Sequence, residues 1–187
     1  MEVHDMATNV ATLKTSDEGD KRGLELGRAE GEAFGRILKH MLEDVADGGS
    51  EIESGDYLIA YAVEKAEGMY VPKNGGFEWQ APQDENIHIE VAVRDRADGR
   101  LIPGLDVDVT VIDPDKKEIG THRHPLLWHP YLYHYGRNWV VPGDGTYSLR
   151  VRFPEPQFHR HDKVNGKRFA EDADVTFENV EMKTGRE

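Results

Sequence analysis

Leu105-Asp106-Val107-Asp108-Val109-Thr110-Val111-Ile112 alternates apolar and polar side chains along almost its whole length. A period of two puts Leu105, Val107, Val109 and Val111 on one face of an extended strand and Asp106, Asp108 and Thr110 on the other. That is the pattern of a strand with one buried and one solvated face. Thr146 to Phe153 repeats it, with Tyr147, Leu149, Val151 and Phe153 opposing Ser148, Arg150 and Arg152. Tyr57 to Ala66, Asn86 to Arg94 and Asp174 to Met182 are also rich in β-branched and aromatic residues and read as strands. Between the strands lie Ala97-Asp98-Gly99, Asp113-Pro114-Asp115 and Pro142-Gly143-Asp144-Gly145, in which proline presets one dihedral and glycine supplies positive φ. Half-buried strands in succession, with no helical period between them, predict an all-β fold, an antiparallel β-sandwich. In the last strand the parity set by Val175 and Phe177 shifts to Val180 and Met182, which places a β-bulge near Glu178-Asn179.

Upstream of Asp56 the period changes to four. Ala29, Ala33, Ile37, Met41 and Val45 recur at that interval between Lys21 and Ala46, flanked by Phe34, Leu38 and Leu42, and Gly48-Gly49 stops the pattern. Gly23, Gly27, Gly31 and Gly35 share the interval and leave a stripe without side chains. Each glycine costs up to about 1 kcal/mol of helix propensity relative to alanine. The stripe therefore suggests a helix packed closely on the domain or on a partner, the alternative being a helix ordered only over Phe34 to Val45. Arg28, Glu30, Glu32 and Arg36 interleave with the stripe, which a bilayer would not accept. The expected organisation is a disordered tail over 1–20, a helical appendage over 21–50 and a sandwich over 57–182.

With 187 residues the chain fits one domain plus an appendage. Acidic residues outnumber basic ones 36 to 23, a net charge of −13. Such a field repels phosphate backbones and anionic lipid and argues against nucleic acid as a partner. Acidity of this degree is also a halophilic trait. There is no cysteine, which excludes disulfides, thiolate metal sites and cysteine nucleophiles. No apolar run approaches the roughly 18 residues of a membrane span. Met1 to Ser16 lacks the basic and apolar segments of a secretory signal, so the sequence as written reads as cytoplasmic.

The nine histidines are concentrated after position 87, at His88, His122, His124, His129, His134, His159 and His161, with only His4 and His40 before it. In Asn86 to Val93, Ile87, Ile89, Val91 and Val93 face the core, so His88 and Glu90 share the other face. Two positions along a strand separate their Cα atoms by about 6.5–7 Å, close enough for an imidazole nitrogen and a carboxylate oxygen to reach one ion. His122-Arg123-His124 and His159-Arg160-His161 repeat a His-x-His form, although His122 and His159 read best as loop histidines. His129 and His134 flank Pro130-Tyr131-Leu132-Tyr133, an aromatic stretch read as a structured loop. Imidazoles with a carboxylate and no thiolate suit Fe2+, Cu2+ or Zn2+.

Residues from about 57 to 182 resemble the periplasmic iron-uptake proteins that bind copper or iron beside an iron permease, a FetP-like family. The resemblance rests on His88-Ile89-Glu90, on His134-Tyr135-Gly136-Arg137-Asn138, on Gly143-Asp144-Gly145-Thr146-Tyr147, and on Arg160-His161-Asp162-Lys163 followed by Gly166, in that order. It implies an immunoglobulin-like β-sandwich that forms a homodimer, with His88, Glu90, His134 and His161 as metal ligands. The family places a methionine ligand seven residues before the His-Tyr-Gly histidine, and this chain has Leu127 there. His124 or His129 is expected to take that place, and nitrogen in place of a thioether turns preference from Cu+ towards Fe2+, Cu2+ or Zn2+. Met69 resembles another methionine of the family, although a core or loop role suits it better. The first 56 residues lie outside the resemblance.

The expected function is therefore non-catalytic binding of a divalent metal, iron or copper, in iron uptake or metal delivery, with a membrane iron permease as a partner. Two alternatives come from other classes. One is a metal-dependent enzyme with Glu90 as a base, for which no His-Glu-x-x-His or serine elbow is present. The other is a metal-free interaction module that uses the glycine-striped helix.

Overall fold

The computed structural model describes residues 12–187. Helix α1 (Lys21–His40) widens into a π turn (Met41–Val45) and is followed by eleven strands. These are β1 (Gly48–Ser54), β2 (Tyr57–Glu64), β3 (Met69–Lys73), β4 (Gly76–Gln80), β5 (Ile87–Asp95), β6 (Asp108–Ile112), β7 (Glu118–Arg123), β8 (Leu126–Trp128), β9 (Tyr133–Trp139), β10 (Gly145–Phe153) and β11 (Ala173–Met182). One sheet has the order β1-β2-β5-β9-β8 and the other β11-β10-β6-β7, while β3 and β4 form a separate hairpin. All of these strand pairs are antiparallel. The fold is the antiparallel β-sandwich that the alternating strands predict.

The core lies between the two sheets. Ile59, Tyr61 and Val63 of β2 and Ile89, Val91 and Val93 of β5 meet Val109 and Val111 of β6 and Leu149 and Val151 of β10. Each such buried side chain contributes on the order of 1.5–3 kcal/mol. Tyr135 of β9 pins the connection between β5 and β6, its hydroxyl donating to the Ile102 carbonyl at 2.8 Å and accepting from the Leu105 amide at 3.0 Å. The expected bulge is present: the β10–β11 register shifts after Tyr147↔Val180, and Asn179 takes a positive φ of 58°.

Several segments depart from the sequence reading, among them β7, which carries His122 on a strand and not in a loop, and β6, which begins only at Asp108. Gly48–Ser54 is a strand, not the end of the helical appendage, and pairs with β2 from Gly48↔Val63 to Ser54↔Tyr57. Its only large apolar residue is Ile52, so backbone hydrogen bonds to β2, and not a buried face, hold it. The stretch read as an aromatic loop is largely a hairpin, in which β8 pairs with β9 from Leu126↔Tyr135 to Trp128↔Tyr133. The tail expected over 1–20 falls partly outside the described residues, and 12–20 form an irregular segment.

Helix α1 begins at Asp20, whose carboxylate accepts the Gly23 amide at 2.7 Å, an N-cap. The glycine stripe faces this chain's own β5–β6 turn. A Cβ on Gly31 would fall 1.9 Å from the Asp98 carbonyl oxygen, and one on Gly35 would fall 3.0 Å from the Arg94 guanidinium. Leu38, with Phe34, Ile37 and Leu42, packs on Ala60 of β2, Ala92 of β5 and Leu132 of the β8–β9 turn. The helix thus lies on the outer face of the five-stranded sheet, where alanines leave room for it.

Candidate metal centre

The outer face of β5 carries Ala92, Glu90 and His88 in succession, because these positions alternate with the core residues Val93, Val91 and Ile89. Antiparallel pairing sets Glu90 beside Gly136 and His88 beside Asn138 on β9, and His134 follows on the same face. Glu90 Oε1 lies 3.1 Å from His134 Nε2 and 3.9 Å from His88 Nε2. Among the described residues these three form the one cluster of three or more histidine and carboxylate groups whose donor atoms all lie within 4.8 Å of one another. They are buried, with His88, Glu90 and His134 only 1%, 4% and 3% exposed.

Asn138 orients the first imidazole. Its Nδ2 donates to the Glu67 carbonyl at 2.7 Å, which fixes the amide and turns Oδ1 towards His88 Nδ1 at 2.8 Å. Nδ1 of His88 is then the protonated nitrogen, and the lone pair of Nε2 faces Glu90. Neither ring nitrogen of His134 makes a hydrogen bond, even though Nε2 is close to the carboxylate. Burial pushes His134 down to about 3, with His88 and His129 adding to the effect, and it also lowers His88. Glu90 is pushed up to about 9 by burial and by the nearby carboxylates of Glu64 and Glu67. Without an ion the imidazoles are neutral and Glu90 holds a proton. A dication would reverse the preference of the carboxylate while finding both imidazoles already in ligand form.

Gly136 completes the cradle. A Cβ there would fall 2.7 Å from Leu127 Cδ1, 3.0 Å from His134 Cδ2 and 3.0 Å from His88 Nε2. The space between the two imidazoles is therefore kept by a missing side chain, and the donor set fits a borderline divalent ion. Leu127, across the ladder from His134, forms an apolar wall where the resemblance expects a methionine ligand.

The other expected ligands are distributed unequally. His129 comes next to the triad, its ring centroid 6.3 Å from that of His134, and its Nδ1 is buried without a hydrogen-bond partner. His124 is buried but otherwise engaged, since its Nε2 accepts the Trp139 indole N–H at 3.0 Å. Burial pushes it down to about 3. Of the two candidates for the methionine's place, the geometry brings His129 towards the triad and commits the Nε2 lone pair of His124 to Trp139. His161 is not brought to the cluster within this chain. It lies on the loop after β10 with its side chain 90% exposed, and its Nδ1 is 3.0 Å from Glu18.

Two acidic residues beside the centre were not among the expected ligands. Glu64 ends β2 directly opposite His88 and shares a hydrogen bond with Glu67. Burial first, and then this partner, push Glu64 up to about 8. The parity of Ala60, Ala62 and Glu64 puts all three on the outer face, but their nearness to His88 depends on strand pairing.

The Fe2+ transport protein family profile matches residues 48–183. Among solved structures, Campylobacter jejuni P19 reconstituted with copper is 18% identical, with 74% of this chain and 96% of that chain covered and a TM-score of 0.63. FetP of uropathogenic Escherichia coli strain F11, expressed recombinantly in the periplasm, is 18% identical over 74% of this chain and 95% of that chain, with a TM-score of 0.58. A copper-bound variant of P19 is 19% identical over 73% of this chain and 97% of its own, with a TM-score of 0.57. No curated protein matches. The family match spans the sandwich and the whole His88-Glu90-His134 centre, and the chain belongs to the Fe2+ transport protein family.

Proposed function

We propose that this protein captures and delivers a divalent metal ion, Fe2+ or Cu2+ with Zn2+ as a further candidate, and catalyses no reaction. The observation that carries the reading is the convergence of His88, Glu90 and His134 in a buried cradle, with the nitrogens of His134 free of hydrogen bonds. Support also comes from the family and from the copper-bound relatives. His129 would be the fourth donor. Release follows from proton competition, and burial changes which group competes. Free imidazole would begin to compete below about 6.5, but the buried imidazoles are depressed, so the proton that returns on release belongs to Glu90.

The proposed setting is extracytoplasmic, beside a membrane iron permease, with the protein as a homodimer. Among the described residues no helix is long and apolar enough to cross a membrane. His161 is exposed and lies beside Glu18, outside the triad of its own chain, so its proposed role as a ligand to that centre depends on the dimer.

Calorimetric titration with Fe2+ under anaerobic conditions, and with Cu2+ and Zn2+, tests the reading on the wild type and on His88→Ala/His134→Ala. Binding by the wild type and its loss in the double variant are expected; equal binding by both would remove the site. Sedimentation at several protein concentrations tests the dimer, and a His161→Ala variant that binds metal as the wild type does would remove His161 from the ligand set.

A further inference from the structure

The family match begins at residue 48, so α1 and the π turn lie outside the matched residues. They lie on the same outer face as the metal centre. Ala92, beneath Leu38, is two positions from Glu90 on β5, a separation of about 6.5–7 Å along the strand. The position of the helix is set far from the centre by Gly31, whose place against the Asp98 carbonyl leaves no room for a side chain.

From there a chain of contacts runs to His129. Leu38 packs with Leu132, and the Leu132 carbonyl accepts the His129 amide at 3.1 Å, closing the β8–β9 turn. Met41, at the start of the π turn and 1% exposed, has its sulfur 3.5 Å from the Tyr131 hydroxyl, which donates to it. The Tyr131 ring meets the His129 ring edge-on, with centroids 4.3 Å apart. His129 in turn lies 6.3 Å from His134, its Nδ1 buried and without a hydrogen-bond partner. A π turn at the point where a helix meets such a residue agrees with the frequent placement of these irregularities at functional sites.

We propose that the appended helix is a positioning element of the metal centre: through Met41 and Tyr131 it holds His129 beside the His88-Glu90-His134 triad. The inference rests on the metal-binding reading of that triad. The residues matched by the family profile do not include this support, and this chain has Leu127 where the resemblance expects a methionine. The helix thus supplies, by positioning a nitrogen donor, what the matched residues alone leave incomplete. Met41 and Tyr131 act through His129 and are not themselves ligands.

The test uses the full chain loaded with Cu2+ and reads the electron paramagnetic resonance spectrum and the rate of copper loss to a chelator. His129→Ala defines the signal of the centre without the fourth nitrogen. Met41→Ala, Tyr131→Phe and the remote Gly31→Ala are expected to move the spectrum towards that of His129→Ala and to speed copper loss by about tenfold, the lower end of what removing a ligand's support costs. The core between the sheets contains no helix residue, so a displaced helix leaves the sandwich folded, and Tyr131→Phe keeps even the helix packing. Wild-type spectra and rates in all three positioning variants, with an altered His129→Ala, would overturn this inference and leave the metal reading intact. A His129→Ala spectrum identical to the wild type would overturn it as well. Copper binding unaffected by His88→Ala/His134→Ala would overturn the metal reading, and the inference with it.

Discussion

Gly136 stands directly across the β5–β9 ladder from Glu90, and a methyl group on it would fall 3.0 Å from Nε2 of His88. The glycine is therefore a volume constraint on the centre. Its φ is not among the positive values, and alanine suits a strand better than glycine. Gly136→Ala should leave the metal-free protein folded at a cost of about 1–3 kcal/mol from overpacking, read as a lowered melting temperature. It should also force His88 and Leu127 aside and weaken Cu2+ or Fe2+ by at least about tenfold, as expected of a displaced ligand. Competition against a chelator of known affinity checks this, and unchanged affinity would show that the ion does not sit between the two imidazoles.

Asn138 separates orientation from ligation. It touches no proposed ion position, yet its Oδ1 accepts from His88 and its amide group grips the Glu67 backbone from both sides, at 2.7 and 3.3 Å. Asn138→Ala should lower metal affinity about 10- to 100-fold through the freed imidazole. It should also cost about 1–3 kcal/mol of stability, because buried groups lose their partners. Affinity at the wild-type level in a destabilised variant would mean that something other than Asn138 sets the His88 ring.

How much of this was legible in the chain depends on whether the information is local. The alternation of Leu105 to Ile112 and of Thr146 to Phe153 states which side chains face inward, and the parity break after Phe177 states where the bulge falls, because both are written within one strand. His88-Ile89-Glu90 was legible for the same reason. The contribution of Gly136, the grip of Asn138 and the nearness of Glu64 depend on which strands become neighbours, which no single stretch encodes. The glycine stripe announced a close approach but not its partner, a turn at Asp98-Gly99 nearly seventy residues away. Strand β1 escaped notice because Gly48-Gly49-Ser50-Glu51 buries no face and is held by backbone pairing.

Leu127 offers a gain-of-function test. It lies beside the cradle at the place where the family resemblance expects a thioether, and leucine to methionine nearly conserves volume, at a cost below about 1.5 kcal/mol. Leu127→Met should add a soft donor and raise Cu+ affinity relative to Zn2+ and Fe2+. Parallel competition assays with a Cu+ chelator and a Zn2+ chelator would show it. Equal changes for both ions, or none, would place residue 127 outside coordination reach.

Proton linkage gives the last prediction, and the two kinds of buried group pull in opposite directions. Glu90 and Glu64 are raised to about 9 and about 8 in the metal-free fold, against an ordinary value of 4.5. The stability associated with their protonated forms is fully present below 4.5, falls as pH rises above that value and is gone once pH has passed 8 to 9. His134 and His124 are depressed to about 3 from 6.5, so the stability associated with their neutral forms is present above 6.5 and is lost as pH falls towards 3. The metal-free protein should therefore be most stable between pH 4.5 and 6.5, where the two slopes oppose each other, and should lose stability on both sides. Calorimetric melting with chelator present should show this maximum, and Glu90→Gln, which needs no proton to stay neutral, should melt higher than the wild type at pH 8 to 9. Metal binding near neutral pH must displace the Glu90 proton, so titrations in buffers of different ionisation enthalpy should report about one proton released per ion in the wild type, and close to none in Glu90→Gln. A wild type that releases no proton would mean that Glu90 is already ionised in the fold or does not meet the ion.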